Sequence, residues 1–220
     1  MSTNAGDMSA GHMNADDFAS WIRHAAELVT ADADRLTRLD AAIGDGDHGL
    51  NLDRGFRAAA ESLPGDVPPG KVLIAAGRAV VSKTGGASGP LYGTALRRAG
   101  KALGDAADVD AAALGAALKA ALEGVQELGK ANEGDKTMID ALAPAVAAYE
   151  AALADGSDLA GCVRAAAGAA DEGAEATVPM QARKGRASYL GARSTGHMDP
   201  GASSTALILG ALSDIVPGEG

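Results

Sequence analysis

Along nearly the whole chain, apolar residues return every three or four positions, and alanine dominates them. Phe18, Ile22, Ala25, Val29, Leu36 and Leu39 fall on one face of a helix at this spacing. No run alternates with period two for long enough to make a strand. Hydrophobic residues form 47% of the sequence but aromatics only 3%. Strands favour β-branched and aromatic side chains, whereas alanine is the best helix former and lets helices approach closely. The pattern predicts an all-α fold.

The chain has 220 residues, which suits one domain able to bury about 70% of its unfolded surface. The spacing predicts a single-domain barrel or bundle of about eight antiparallel helices over residues 16–216. A Gly, Ser, Asn and Met-containing lead-in, 1–15, reads as disordered. The first helix is expected to be capped by Asp16 or Asp17, and the second to run from about His48 to Ser62. The third spans Pro69–Lys83, the fourth Leu91–Leu103, and the fifth ends near Leu128. The sixth, Lys136–Leu153, is expected to be capped by Asp135, and the seventh spans Asp158–Thr177. Residues 178–201 form a polar connection longer than the usual 4–6 or so, and long ordered loops tend to carry function. An eighth helix ends near Asp214.

The net charge of -10 excludes a nucleic-acid backbone as partner, because that binding needs clustered Lys and Arg. No segment reaches the ~18 apolar residues of a membrane span, and the first residues lack the basic and apolar regions of a secretory signal. Cys162, the single cysteine, lies in an Ala-rich stretch and reads as a small buried hydrophobe in a reducing compartment. A soluble cytoplasmic protein is expected.

The chemistry concentrates in the segment Leu39–Gly49, where Asp40, Asp45 and Asp47 fall within eight positions at a helix end and its glycine-punctuated turn. Glycines on both sides of Asp45 let the backbone aim the carboxylates inward. Like charges gathered this way need a cation, and an all-oxygen ligand set suits magnesium, which shares its coordination with phosphates. The competing reading is structural: Asp47 as a helix cap, with Arg35, Arg38 and Arg54 neutralising part of the charge. Gly44, Gly46 and Gly49 also fit the dinucleotide fingerprint, but that motif follows a strand and here a helix precedes it. Asp45, Asp47, Asn51 and Asp53 mimic the start of a calcium loop that then lacks its central Gly and closing Glu. The Gly124–Ala131 stretch lacks the Ser or Thr of a phosphate loop.

Three further segments are informative. Thr84–Thr94 is rich in small residues, and Ser88 is either an ordinary helix cap or, with the free amides after it, an anion site. In Asn132–Asp140, Asp135 reads as a cap and Met138 as core. The long loop carries Lys184, Arg186, Tyr189, Arg193, His197 and Asp199-Pro200-Gly201, whose basic members read equally as phosphate contacts or as a solvated loop.

Taken together, LDAAIGDGDHGLN, GGASGPLYGT, GDKTMIDALAPA and KGRASYLGARSTGHMDPGASS resemble the nucleotide-binding L subunit (DhaL) family of bacterial dihydroxyacetone kinase, over nearly the whole chain from about Asp16. The resemblance implies an eight-helix barrel with the nucleotide at one rim. It implies that Asp40, Asp45 and Asp47 hold two magnesium ions on ADP or ATP. It places His48, Gly49, Leu50 and Asn51, and also Ala87 and Ser88, at the phosphates, and Gly129 and Met138 at adenine. Arg186, Asp199, Pro200 and Gly201 match positions around the nucleotide, with His48 and Arg186 assisting transfer. In the phosphotransferase-system version, bound ADP is recharged by a phosphohistidine on an M subunit, and the phosphoryl group passes to dihydroxyacetone on a K subunit. In an ATP-dependent version the nucleotide exchanges freely. A third reading is a regulatory module that binds a transcriptional activator.

Overall fold

A computed structural model describes residues 11–216. It contains α1 (Ala15–Ile43), α2 (His48–Glu61), α3 (Pro69–Lys83), α4 (Ser88–Leu103), α5 (Ala111–Gly129), α6 (Ile139–Ala154), α7 (Leu159–Ala176), a 3-10 segment (Arg186–Ser194) and α8 (Pro200–Ile215). Each helix packs on its neighbours in the chain, and α8 returns to α1, so the eight close into a ring. Among the described residues the only β pairing is an isolated bridge between Met13 and Val109.

Closure of the ring is secured by Trp21, whose Nε1 donates to the Ile208 carbonyl at 2.9 Å and so ties α1 to α8. Where α3 meets α4, glycine replaces side chains. A Cβ on Gly77 would lie 2.8 Å from the Gly93 oxygen, and one on Gly93 would lie 2.7 Å from the Gly77 oxygen. The two backbones therefore touch, which no larger residue at either position permits. Phe18, Ile22, Val29, Leu52, Val72, Val80, Leu114 and Tyr149 fill the core alongside many alanines.

The helix starts differ from expectation in instructive ways. α1 is capped by Asn14, whose Oδ1 accepts the amides of Asp16 at 2.8 Å and Asp17 at 3.2 Å. Asp17 answers by accepting the Asn14 amide at 2.8 Å, a reciprocal capping box, so the aspartates are inside the first turn. Residues 1–10 of the expected lead-in lie outside the described residues. Its last residues are ordered: Met13, 1% exposed, exchanges two 2.9 Å main-chain hydrogen bonds with Val109. α6 begins at Ile139 rather than Lys136. Asp140, not Asp135, takes the Thr137 amide at 2.7 Å and the Gly134 amide at 2.5 Å, and Lys136 has a left-handed φ of 62° that no helix accommodates. α4 starts three residues earlier than expected, at Ser88.

The alternation of the ring gathers the end of α1 and the starts of α2, α4, α6 and α8 at one rim.

Candidate functional site

At that rim the last turn of α1 delivers Asp40, which is buried, and the turn that follows delivers Asp45 and Asp47. Asp40 Oδ2 accepts the amides of Asp47 at 2.9 Å and His48 at 3.2 Å, so it organises the turn and starts α2. A Cβ at position 44 would fall on the Asp40 carboxylate, so only glycine leaves that side chain room. Gly46 takes a φ of 72°, open to glycine at little cost. As a result, one ligand oxygen from each of Asp40, Asp45 and Asp47 lies within 4.8 Å of the others. Asp47 heads α2 but its side chain caps nothing, which rejects the structural reading of that residue.

The counter-charge comes from an unexpected direction. Arg35 pairs with Asp32 and reaches Ser203 Oγ at 2.9 Å, while Arg54 binds the Asn51 side chain and the Lys83 carbonyl. It is Arg186, from the distant loop, whose Nη2 stands 3.1 Å from Asp45 Oδ2.

Behind the carboxylates runs a buried chain of hydrogen bonds. Ser88 Oγ lies 3.1 Å from His48 Nδ1, and His48 Nε2 lies 2.8 Å from Ser204 Oγ. Ser204 continues to the Tyr92 hydroxyl at 2.7 Å, which also meets Thr205 Oγ1 at 2.9 Å and has the Gly201 carbonyl 3.0 Å away. Burial lowers the pKa of His48, against the opposing pull of Asp40 and Asp47, and keeps the imidazole neutral. Burial pushes Tyr92 up to about 12, so its hydroxyl stays protonated. Asp199, at the head of α8, accepts the Ala202 amide at 2.8 Å, yet its burial raises its pKa to about 7.

The carboxylates, His48, Ser88, Tyr92, Arg186 and Asp199 line a cleft of about 210 Å³. Of the residues expected from sequence, Asp40, Asp45, Asp47, His48, Ala87, Ser88, Met138, Arg186, Asp199, Pro200 and Gly201 line it together. Gly49, Leu50, Asn51 and Gly129 do not. Gly49 faces α1, where a Cβ would fall on the Ala33 carbonyl. Leu50 points to solvent, 57% exposed. Asn51 is buried beneath the next turn, with its Oδ1 2.7 Å from where a Cβ on Gly85 would be. Gly129 closes α5 beside Leu91, and a Cβ there would be 3.4 Å from Leu91 Cδ2. Sequence reasoning missed Tyr92, Ser204 and Lys136 as individuals, although each stands inside a segment it singled out.

Residues 42–214 match the DAK2 domain family. The chain belongs to that family. This DAK2 chain is 39% identical over 196 residues to the ADP-binding subunit DhaL of the PEP-dependent dihydroxyacetone kinase of Escherichia coli (strain K12), covering 88% of this chain and 93% of the relative. It is 44% identical over 196 residues to the ADP-binding subunit DhaL of PEP-dependent dihydroxyacetone kinase 1 of Listeria innocua, covering 87% and 92%. The DAK2 fold superimposes on the crystal structure of the C. freundii dihydroxyacetone kinase in complex with AMP-PNP and Mg2+. There the TM-score is 0.68 and the identity 27%, over 97% of this chain and 36% of that one. Among the described residues, no helix of this DAK2 chain is long and apolar enough to cross a membrane.

Proposed function

We propose that this chain is the ADP-holding subunit of a phosphotransferase-system dihydroxyacetone kinase, working in the cytoplasm. It receives a phosphoryl group from a phosphohistidine on an M subunit, holds it as ATP, and delivers it to dihydroxyacetone on a K subunit. One observation carries this reading. Three carboxylates converge on the same cleft as a small-residue turn opening α4 and a guanidinium.

The residues present fit magnesium. The donor set is all carboxylate oxygen, hard ligands that this ion prefers, and the room Gly44 leaves keeps Asp40 aimed at its partners. Asp40, Asp45 and Asp47 would hold the metal, two ions in this proposal, which when bound neutralises phosphate charge. The chain's own groups do the rest. The unpaired amides at the start of α4, after Ala87 and Ser88, would serve a phosphate as helix starts do. Arg186 sets a planar cation opposite, suited to phosphate oxygens. Leu91 and Met138 give the cleft an apolar wall for the adenine ring.

His48 serves this arrangement as a fixed neutral donor and acceptor. Ser204 Oγ is 2.9 Å from the Pro200 carbonyl. With its hydroxyl donating there, Ser204 accepts from Nε2–H, and Nδ1 accepts from Ser88. Both ring nitrogens are thus occupied, which favours the nucleotide over His48 as the phosphoryl carrier.

The test is a label-transfer experiment. Radiolabelled phosphate from the phosphorylated M subunit should appear in ATP extracted from this chain, with none covalently bound. Label that survives removal of the nucleotide and disappears in His48→Asn would overturn the mechanism. Native mass spectrometry separates the coenzyme and exchange versions. Retained ADP is expected, and a chain that purifies empty and fills only with added ATP would rule the coenzyme version out.

A further inference from the structure

The loop that brings Arg186 to the cleft is a strap whose two roots are joined. Gly196 N donates to the Val178 carbonyl at 2.8 Å, and Ala182 N donates to Ser194 Oγ at 2.9 Å. Between the roots lies the ammonium of Lys136, a residue only 1% exposed. It donates to the carbonyl of Met180 at 3.0 Å, of Ser194 at 2.6 Å and of His197 at 2.6 Å. Three N–H donors meet three main-chain acceptors, one on the outgoing root and two on the returning one. Lys136 is held in its turn: its left-handed backbone is braced by Asp140, and the neighbouring Asp135 carbonyl accepts the Arg183 amide at 3.0 Å. Burial lowers the Lys136 pKa, and nearby Asp199 opposes this. At the far end of the strap, Arg186 and Ala187 line the cleft, with Arg186 against Asp45.

We propose that Lys136 is a positioning residue for the nucleotide: by binding both roots of the strap, its ammonium fixes the tip so that Arg186 stands opposite Asp45. This rests on the nucleotide reading above. A merely structural lysine would stabilise the fold without being coupled to Arg186. A positioning lysine acts through Arg186, so the two effects cannot add.

The experiment is calorimetric ADP binding in magnesium with the wild-type chain, Lys136→Met, Arg186→Ala and the double variant, all well below their melting temperatures. Lys136→Met should weaken ADP binding at least about tenfold, and the double variant should bind within about threefold of Arg186→Ala alone. Unchanged affinity in Lys136→Met, or losses that multiply in the double variant, would overturn the role of Lys136. A wild-type chain that binds no ADP would instead overturn the nucleotide reading. If Lys136→Met does not fold, hydrogen exchange on the unliganded wild-type chain decides. The amides of Ala182 and Gly196 at the roots should exchange at least about a hundredfold more slowly than those of Arg186 and Ala187 at the tip. Equal rates at roots and tip would mean the roots are not fixed.

Discussion

Asp47→Asn should stabilise the empty protein and destabilise the loaded one. The Asp47 side chain caps nothing, so its replacement by an isosteric amide removes charge with little else. Its oxygens lie within 4.8 Å of carboxylate oxygens on both Asp40 and Asp45. At that separation one like-charge pair costs about 0.9 kcal/mol in a water-like dielectric and about 3.5 kcal/mol at an effective value near 20. Asp47 is exposed, so the lower figure applies to each pair, and Arg186 beside Asp45 offsets part of the sum. About 1 kcal/mol of relief remains, a rise in Tm of roughly 2–4 °C for a domain of this size. With ADP and magnesium at a hundredfold excess over Kd, the wild-type chain gains about 2.7 kcal/mol that the variant should largely lack. The two proteins should therefore exchange rank between scanning-calorimetry runs in EDTA and in ADP–magnesium. A variant that melts below wild type in EDTA, or gains as much from the ligand, refutes the idea that these carboxylates await a cation.

Other expectations follow from particular contacts. Gly77→Ala gains about 1 kcal/mol in helix propensity, but its Cβ would be 2.8 Å from the rigid Gly93 oxygen, where overpacking costs about 1–3 kcal/mol. A fall in Tm is expected, and a rise would show that α3 and α4 can separate freely. Asp199 has a folded pKa of about 7 against an ordinary 3.8, so its contribution to stability is complete below 3.8 and is lost as pH climbs toward 7. Asp199→Asn keeps a capping side chain and should flatten that decline in melts taken between pH 4 and 7; parallel curves would contradict it. His48→Asn breaks the link between Ser88 and Ser204 and so loosens the turn that opens α4; it should slow phosphoryl transfer about a hundredfold in single-turnover measurements while leaving it detectable, and complete loss would mean that His48 has a covalent role.

The helices were legible because alanine and leucine periodicity is local, and all eight stand where it places them. Their starts were less so, since a cap is a competition among neighbours: Asn14 wins over Asp16 by accepting two amides at once. The carboxylate cluster was legible for the same local reason, with its three members within eight positions. What could not be read was partnership across the barrel. Ser204 meets His48 from 156 residues away, and Lys136 finds its carbonyls 44 to 61 residues downstream. In the sequence Lys136 reads as the first residue of the sixth helix, and only the folded chain turns it into a buried anchor. Arg186 was named among the loop's basic residues and again from resemblance, whereas its pairing with Asp45 needed the strap's path.

Because the helices alternate, α1 begins and α8 ends at the rim opposite the cleft. Anything attached at either end of the domain would hang from the floor of the barrel. To present a tethered sugar-holding domain to the nucleotide, a connector would have to climb the length of a 16-residue helix, about 24 Å. That is roughly seven extended residues before any slack. Longer kinase chains that embed a unit of this kind would face this minimum tether. An engineered fusion with a linker shorter than this should fold normally and yet be unable to deliver substrate within its own chain.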